Sequence, residues 1–192
     1  MIHEVLHGLM ALKLGDTTAK DQGRLTLNPL KHIDPFGSVV VPLVLLVTGS
    51  PILIGWAKPV MYNPANIKNP KTGDLLIKLA GPASNLALAV VFGLILRLLF
   101  PFVNVPIFGS LVIFLKIIVA TNVSLAIFNL VPLPPLDGSS ILFALIPDKW
   151  HALQEFLTRH GFWLLIIFIF FGFQLILPII GSIYLLLTGP AG

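Results

Sequence analysis

The chain has 192 residues, of which 56% are hydrophobic and only 10% are charged, and its net charge is +4. A soluble domain carries about a quarter charged residues, so this composition excludes an ordinary soluble globule and predicts an integral membrane protein. Cysteine is absent, which excludes disulfides and thiolate metal ligands. The basic residues are scattered rather than clustered, and this argues against nucleic acid as a partner.

The first predicted element is a helix over residues 2–14, which has apolar character and no internal proline. At about 1.5 Å per residue its length is about 20 Å, too short to cross a hydrocarbon core of about 30 Å. A charged amino terminus inside a bilayer would also be costly. We therefore expect the native chain to begin upstream of Met1, with roughly ten further apolar residues.

The same segment carries the pattern H-E-x-x-H at His3, Glu4 and His7. Residues four apart lie on one face of a helix, so the two imidazoles can hold a single Zn²⁺. Glu4, beside the first imidazole, can accept a proton from the attacking water. The alternative is a polar helix end that happens to contain these side chains, but ionisable residues in an apolar helix usually mark function.

The next segment, residues 23–37, is predicted to form short extended pieces and turns, because Asn28 and Asp34 each precede a proline. Its first part, residues 23–28, could pair with an unwound substrate strand.

The apolar stretch over residues 37–56 is interrupted by proline and glycine, so it either spans as a broken helix or enters the membrane and returns. If it returns, the basic segments share one face of the membrane and the uncharged connection at residues 101–106 lies on the other. The positive-inside rule favours this re-entrant alternative and places the basic face in the cytoplasm.

Three longer apolar stretches, over residues 75–100, 107–131 and 161–187, are predicted to span as helices. Before the last of them, a short surface helix is predicted with Asp148 as its N-cap and Gly161 as its stop. The whole chain, residues 1–192, is predicted to be one membrane domain. Its metal-binding core would cover residues 2–147, and the surface helix and last membrane helix would cover residues 148–188.

A zinc site built on histidine and carboxylate needs a third protein ligand. Met10 and Lys13 stand where a metzincin would need glycine and histidine, which excludes that class. Glu155, the only other glutamate besides Glu4, lies in the predicted surface helix. Asp137 is the stronger candidate because it follows three prolines, where irregular backbone at membrane depth must line a cavity or pack on protein. The alternative for Asp137 is a simple Asp-Gly turn.

Together these motifs resemble the site-2 protease family of intramembrane zinc peptidases, in its prokaryotic branch. The resemblance covers about residues 2–147 and is carried by H-E-x-x-H and by N-x-x-P-x-P-x-L-D-G, the second running from Asn129 to Gly138. Further similar segments are Gly15-Asp16-Thr17-Thr18-Ala19, Gly23-Arg24-Leu25-Thr26-Leu27-Asn28-Pro29, His32-Ile33-Asp34-Pro35, Gly55-Trp56-Ala57-Lys58-Pro59-Val60 and Gly81-Pro82-Ala83-Ser84-Asn85.

The resemblance implies an all-α polytopic membrane protein with short extended or re-entrant segments near its active site. It implies one Zn²⁺ per chain, with Glu4 as the general base and then as the acid that protonates the leaving amine. Asn85 and Asn129 match polar family positions and would orient the substrate or stabilise the oxyanion, although asparagine in membranes also hydrogen-bonds between helices. The implied zinc ligands are His3, His7 and Asp137.

The expected activity is hydrolysis of peptide bonds in or near transmembrane segments, in the inner membrane of a prokaryotic cell with the active site towards the cytoplasm. The partners would be a transmembrane protein substrate and membrane lipid. One alternative is a catalytically inactive relative that binds membrane proteins, against which the complete set of ligands argues. Another is a metal transporter, which would need more intramembrane acids or histidines than the apolar stretches contain.

The remaining polar and aromatic residues receive structural interpretations. We expect His32 to be a solvated loop residue rather than a group behind the metal ligands. Lys116, inside an apolar stretch, would extend to the interface or pair with an acid. Four residues are predicted at the membrane interface: Trp56, Trp150, His151 and His160.

Overall fold

The computed structural model describes residues 1–49, 55 and 57–189, and within these ranges the chain consists of helices and turns without any β-strand. This confirms the prediction of an all-α protein. The α-helices of the described ranges are α1 (Ile2–Lys13), α2 (Thr18–Asp21), α3 (Val41–Val47), α4 (Pro70–Leu99), α5 (Pro106–Asn129), α6 (Gly138–Leu145), α7 (His151–Ile167) and α8 (Phe173–Thr188).

The chain divides into two compact units, Met1–Ile77 and Lys78–Gly192. The division falls within α4, so the first turns of that helix belong to the first unit and the remainder to the second. In the first unit, Ala11 of α1 packs against Ile67 and Ile77. This contact holds α1 against the beginning of α4.

A buried carboxylate just after α1 forms hydrogen bonds to a distant segment of the chain. Asp16 is fully buried and accepts hydrogen bonds from Thr18 (Oγ1 at 2.6 Å and N at 3.3 Å), from Nδ2 of Asn66 at 2.7 Å and from the amide of Asn63 at 2.9 Å. Burial raises the pKa of Asp16, but these hydrogen bonds together lower it by more, so the pKa lies below its usual value. Asp16 therefore joins the end of α1 to residues 63–66.

The backbone conformation of residues 23–37 agrees only in part with the extended pieces and turns that the sequence predicts. Asn28 (φ −75°, ψ 113°) and Asp34 (φ −95°, ψ 118°) are extended, as expected before proline. Each then caps a helix: the Asn28 side chain accepts from the Leu30 amide, and Asp34 accepts from the amides of Phe36 and Gly37. Helices rather than extended backbone follow at residues 29–31 and 35–40, because an N-cap followed by proline begins a helix, whereas residues 23–28 form turns and irregular backbone.

Within the apolar stretch over residues 37–56, the structure describes residues 37–49 and 55. A π-helix, Pro35–Val40, continues directly into α3, and together they form a helix of 13 residues. At about 1.5 Å per residue this helix is about 20 Å long, shorter than the hydrocarbon core. Residues 50–54 and 56 lie outside the described ranges, so the choice between spanning and re-entry stays a prediction.

The three predicted spanning helices are confirmed by length and composition. Helices long and apolar enough to cross a membrane cover Pro70–Phe102 (33 residues), Ile107–Asn129 (23 residues) and His151–Thr188 (38 residues). In the second unit α4, α5 and α8 pack together around the fully buried Ala89, Val119 and Val123. Most other side chains of these helices are exposed or only half-buried, as expected of surfaces that face lipid.

The prediction that a surface helix ends at Gly161 was wrong. Helix α7 runs through Gly161, and a π-helix, Phe168–Gly172, joins it to α8. Gly161 serves close packing instead, because a Cβ at this position would lie 2.6 Å from the carbonyl oxygen of Pro134. The predicted N-cap position was wrong as well, since the N-cap position of α7 is Trp150 and that of the preceding 3₁₀ turn, Asp148–Trp150, is Pro147.

Candidate metal centre

Helix α1 presents the H-E-x-x-H residues as the sequence predicts. The ring centroids of His3 and His7 lie 4.6 Å apart, with the ring planes at 89°. The helix forms without proline or glycine before Gly8, and Glu4 in its first turn and Lys13 in its last turn complement the helix dipole. Two imidazoles one turn apart on the same face are a suitable pair of ligands for one metal ion.

A backbone carbonyl fixes the proton on His7. Its side chain is buried, and Nδ1 lies 2.6 Å from the carbonyl oxygen of Ile77. A carbonyl oxygen only accepts hydrogen bonds, so Nδ1 carries the hydrogen and Nε2 carries the lone pair. This is the arrangement by which proteins orient a metal-binding histidine, with one ring nitrogen donating to a carbonyl and the other directed to the metal.

The carboxylate of Glu4 is oriented by a backbone amide. Its Oε2 accepts a hydrogen bond of 3.1 Å from the amide of Val60. The side chain of Val60 also packs close to α1, because a Cβ at Gly8 would lie 3.0 Å from Val60 Cγ1 and 2.6 Å from Leu25 Cδ2. Glycine at position 8, directly after the second histidine, thus allows residues 25 and 60 to approach the helix.

In the second unit, Asp137 follows a proline-rich turn and is buried. Helix α5 ends at Asn129, as the three prolines predict, and the turn contains a cis peptide bond between Pro134 and Pro135. Asp137 stands at the N-cap position of α6, but its side chain makes no capping hydrogen bond. Its carboxylate is therefore not used as in an ordinary Asp-Gly turn, where the side chain would accept from the next backbone amides.

The partner of this carboxylate is a residue that the sequence did not single out as functional. Lys78 Nζ lies 3.3 Å from Oδ1 of Asp137, and the lysine side chain is 30% exposed. A signal was present, because Lys78 stands seven residues before Asn85 and so shares a face of α4 with it.

The two asparagines lie in different surroundings. Asn85 is buried within α4. Asn129 is half-buried at the end of α5, and its Nδ2 donates to the carbonyl oxygen of Leu125 at 2.8 Å, one turn back on the same helix. Neither the expected role in substrate binding nor a hydrogen bond between helices is shown for Asn129.

Other sequence expectations have mixed outcomes. Glu155 is exposed on α7, as predicted for a surface position, and Trp150 and His151 are exposed. The prediction that His32 is solvated was wrong, since its side chain is only 3% exposed. Lys116 is half-buried in α5. Trp56 lies outside the described residues.

The donor atoms of these residues fit zinc. Zn²⁺ in proteins takes imidazole nitrogen and carboxylate oxygen, and a catalytic zinc commonly has three such ligands. The chain offers two histidines on one helix face, and a hydrogen bond fixes the tautomer of His7. It also offers the buried carboxylate of Asp137, which makes no capping hydrogen bond to α6. Cysteine is absent from the sequence, so no thiolate competes with these residues as a metal ligand.

Three helices long and apolar enough to cross a membrane, together with a helix bearing H-E-x-x-H, indicate an integral membrane protein with the motif of a metallopeptidase. The family model described as "Peptidase family M50" matches residues 104–168. The chain belongs to this family, the site-2 proteases, and is a zinc metalloprotease.

Curated relatives carry the same assignment over most of the chain. "Putative zinc metalloprotease YwhC" of Bacillus subtilis is 42% identical over 164 residues, which cover 84% of this chain and 71% of the relative. "Putative zinc metalloprotease Rip2" of Mycolicibacterium smegmatis is 32% identical over 141 residues, or 73% of this chain and 51% of the relative. The Rip2 of Mycobacterium tuberculosis is 31% identical over the same shares. No solved structure matches the chain.

Proposed function

We propose that this protein is an intramembrane zinc metalloendopeptidase, which hydrolyses peptide bonds in or near transmembrane segments of membrane proteins. The observation that carries the proposal is the construction of α1. One helix face presents two histidines, His7 is oriented by a carbonyl, and the glutamate between them is held by a backbone amide. A polar helix end without function would need none of these restraints.

The proposed ligands are His3, His7 and Asp137, holding one Zn²⁺ per chain. When bound, zinc supplies Lewis-acid chemistry that polarises water and the scissile carbonyl. The carbonyl of Ile77 keeps the proton of His7 on Nδ1 and so keeps the lone pair of Nε2 available for coordination. Lys78 balances the charge of the Asp137 carboxylate in its buried position.

Glu4 is the proposed general base and, later in the reaction, the proposed general acid. Its carboxylate takes the proton of the attacking water and returns it to the leaving amine. The Val60 amide restricts the carboxylate to one orientation, which reduces the entropy lost when the reacting groups are aligned. Asn85 and Asn129 are proposed to orient the substrate or stabilise the oxyanion.

A transmembrane segment is the proposed substrate because the motif lies in a membrane protein. Helix α1 is apolar apart from His3, Glu4, His7 and Lys13, so the proposed site is more accessible from lipid or a membrane-embedded chain than from bulk water. The substrate helix must unwind locally, since a helical carbonyl is hydrogen-bonded and shielded. Residues 23–28 are proposed to pair with the unwound strand, with lipid as the surrounding partner.

The first experiment measures zinc content and cleavage of a transmembrane-helix reporter on detergent-purified protein. Wild type is expected to contain about one zinc and to cleave. Glu4→Gln is expected to retain zinc but not cleave, because the amide cannot accept the proton, and Asp137→Ala is expected to lose both. Glu155→Gln is the matched control: it removes the other glutamate, which was also the alternative third ligand, and should behave as wild type.

The results also separate the proposal from its competitors. Zinc loss in Glu155→Gln but not in Asp137→Ala would assign the third ligand to Glu155. A wild type that binds zinc and retains the reporter without cleaving it would identify an inactive relative that binds membrane proteins.

The proposed location is the inner membrane of a prokaryotic cell, with the active site towards the cytoplasm. Because the chain lacks cysteine, single cysteines introduced at Lys20 and Asn104 report topology without background. A membrane-impermeant maleimide applied to intact spheroplasts should label position 104 and not position 20. The reverse pattern would overturn the orientation.

A further inference from the structure

His32 is a buried histidine that the proposed reaction does not use directly. Its side chain is 3% exposed, and Nε2 lies 2.8 Å from the carbonyl oxygen of Thr26. Since a carbonyl only accepts, Nε2 carries the hydrogen and donates it. Nδ1 is buried and has no hydrogen-bond partner among the residues that the structure describes. Within the described part of the chain, the ring thus makes one hydrogen bond, and this bond holds residue 26 in place.

The backbone of His32 makes a second contact, to the segment that orients Glu4. Its carbonyl oxygen accepts a hydrogen bond of 2.8 Å from the amide of Lys58. Two residues further along, the amide of Val60 donates to Glu4 Oε2. His32 therefore links the loop at residue 26 to residues 58–60, and through them to the glutamate of the H-E-x-x-H motif.

Neighbouring contacts support this connection between the loop at residue 26 and residues 58–60. The guanidinium of Arg24 donates to the carbonyl oxygen of Lys31, which closes the same loop beside His32. Leu25 and Val60 both lie close to Gly8 of α1, so the loop and residues 58–60 meet α1 at one place. A displacement of the loop would move Val60, and with it the amide that holds Glu4.

We propose that His32 is a positioning residue for Glu4. Its imidazole holds the loop at residue 26, its carbonyl holds Lys58, and the Val60 amide then restricts the carboxylate of Glu4. The proposal rests on the role of Glu4 as the general base. It predicts that loss of the imidazole donor lowers the rate of the chemical step without changing the metal ligands, because His32 lies on another segment from them.

The variants are chosen to test the donor nitrogen. In His32→Gln the amide Nε2 occupies nearly the position of the imidazole Nε2 and can still donate to Thr26. In His32→Asn the amide nitrogen is one carbon shorter and corresponds to Nδ1, so the bond to Thr26 is lost. His32→Leu removes both nitrogens at similar volume. His151→Leu, at an exposed histidine, is the matched control.

The first readout needs no substrate. Hydrogen exchange of the peptide that contains Val60 should become faster in His32→Leu and His32→Asn, and stay near wild type in His32→Gln and His151→Leu. Equal protection in all four variants would overturn the proposed link. This readout remains valid if the wild type proves not to cleave, so failure of the proposed protease activity is distinguishable from failure of the positioning role.

The second readout is the kinetics of reporter cleavage at unchanged zinc content. In His32→Leu kcat should fall about tenfold to a hundredfold with KM unchanged, as for a catalytic group displaced by about 1 Å. His32→Gln should restore most of kcat. In a Glu4→Asp background, whose shorter side chain no longer reaches the Val60 amide, His32→Leu should have little further effect. Additive losses, or a change in KM or zinc instead of kcat, would show a merely structural role.

Discussion

Replacing Asp16 by Asn tests whether the buried carboxylate holds the first unit together. The carboxylate accepts three hydrogen bonds shorter than 3.0 Å, from Thr18 Oγ1, Asn66 Nδ2 and the Asn63 amide. Hydrogen bonds to a charged group contribute about 1.5–3 kcal/mol each and are not additive. Because the amide replaces one acceptor by a donor that faces other donors, we expect a loss of about 3 kcal/mol of local stability.

The same carboxylate gives this region a defined pH dependence. Its pKa is lower in the folded protein than the ordinary value of 3.8. A group with a lowered folded pKa stabilises the fold fully above its unfolded pKa and loses that contribution as the pH falls through the folded pKa. The link between residues 16 and 63–66 should therefore be constant above about pH 5 and weaken below about pH 4. Asp16→Asn should remove this dependence.

Hydrogen exchange of the peptides that contain residues 63–66 measures the effect directly. A loss of about 3 kcal/mol corresponds to a protection factor lower by roughly two orders of magnitude. Asp21→Asn is the control, since it removes the same charge at an exposed side chain that accepts a hydrogen bond from Thr17. We expect a change below about 0.5 kcal/mol there. Equal loss in the two variants would refute the reasoning, because only general charge would then matter.

Three further substitutions test contacts in the second unit. Gly138→Ala places a Cβ 2.3 Å from the carbonyl oxygen of residue 130, so we expect a loss of at least 3 kcal/mol in thermal unfolding and weaker zinc retention. Gly161→Ala meets the residue 134 carbonyl oxygen at 2.6 Å and should cost about 1–3 kcal/mol, whereas Gly181→Ala, with nothing within 4 Å, should be neutral in the same assay. Lys78→Met should lower the stability of zinc-free protein by about 1–3 kcal/mol and that of zinc-loaded protein by less, because zinc then balances Asp137.

The sequence predicted the three long apolar helices well because their cause is local. A run of about 20 apolar residues must satisfy its backbone hydrogen bonds internally when surrounded by lipid, and a helix is the way a single segment does so. The end of α5 at Asn129 follows equally from the three prolines after it. The H-E-x-x-H spacing likewise determines that His3 and His7 share a face of α1.

The failures concern residues whose role depends on distant parts of the chain. His32 has polar neighbours in sequence, and nothing local indicates that its ring is buried against Thr26. Glycine is typical of a helix stop, yet α7 runs through Gly161, where the carbonyl oxygen of Pro134 lies too close for a larger residue. Each outcome is decided by a contact that sequence spacing does not contain.

Glycines beside the proposed ligands supply no ligand or catalytic group, and the structure explains why they are present. A Cβ at Gly138 would collide with the backbone of residues 130 and 131. Only glycine at position 138 therefore allows this segment, with Asp137, to pack against that backbone. At Gly8 the obstacles are the ends of side chains, Leu25 and Val60, which can move more easily. Substitution at Gly8 should therefore be tolerated better than at Gly138, although both follow a proposed ligand directly. The motif thus supplies both the donor atoms for a metal and a glycine that allows the backbone to pack closely beside them. A chain that keeps the donors but has a larger residue in place of this glycine should fold less stably and lose zinc.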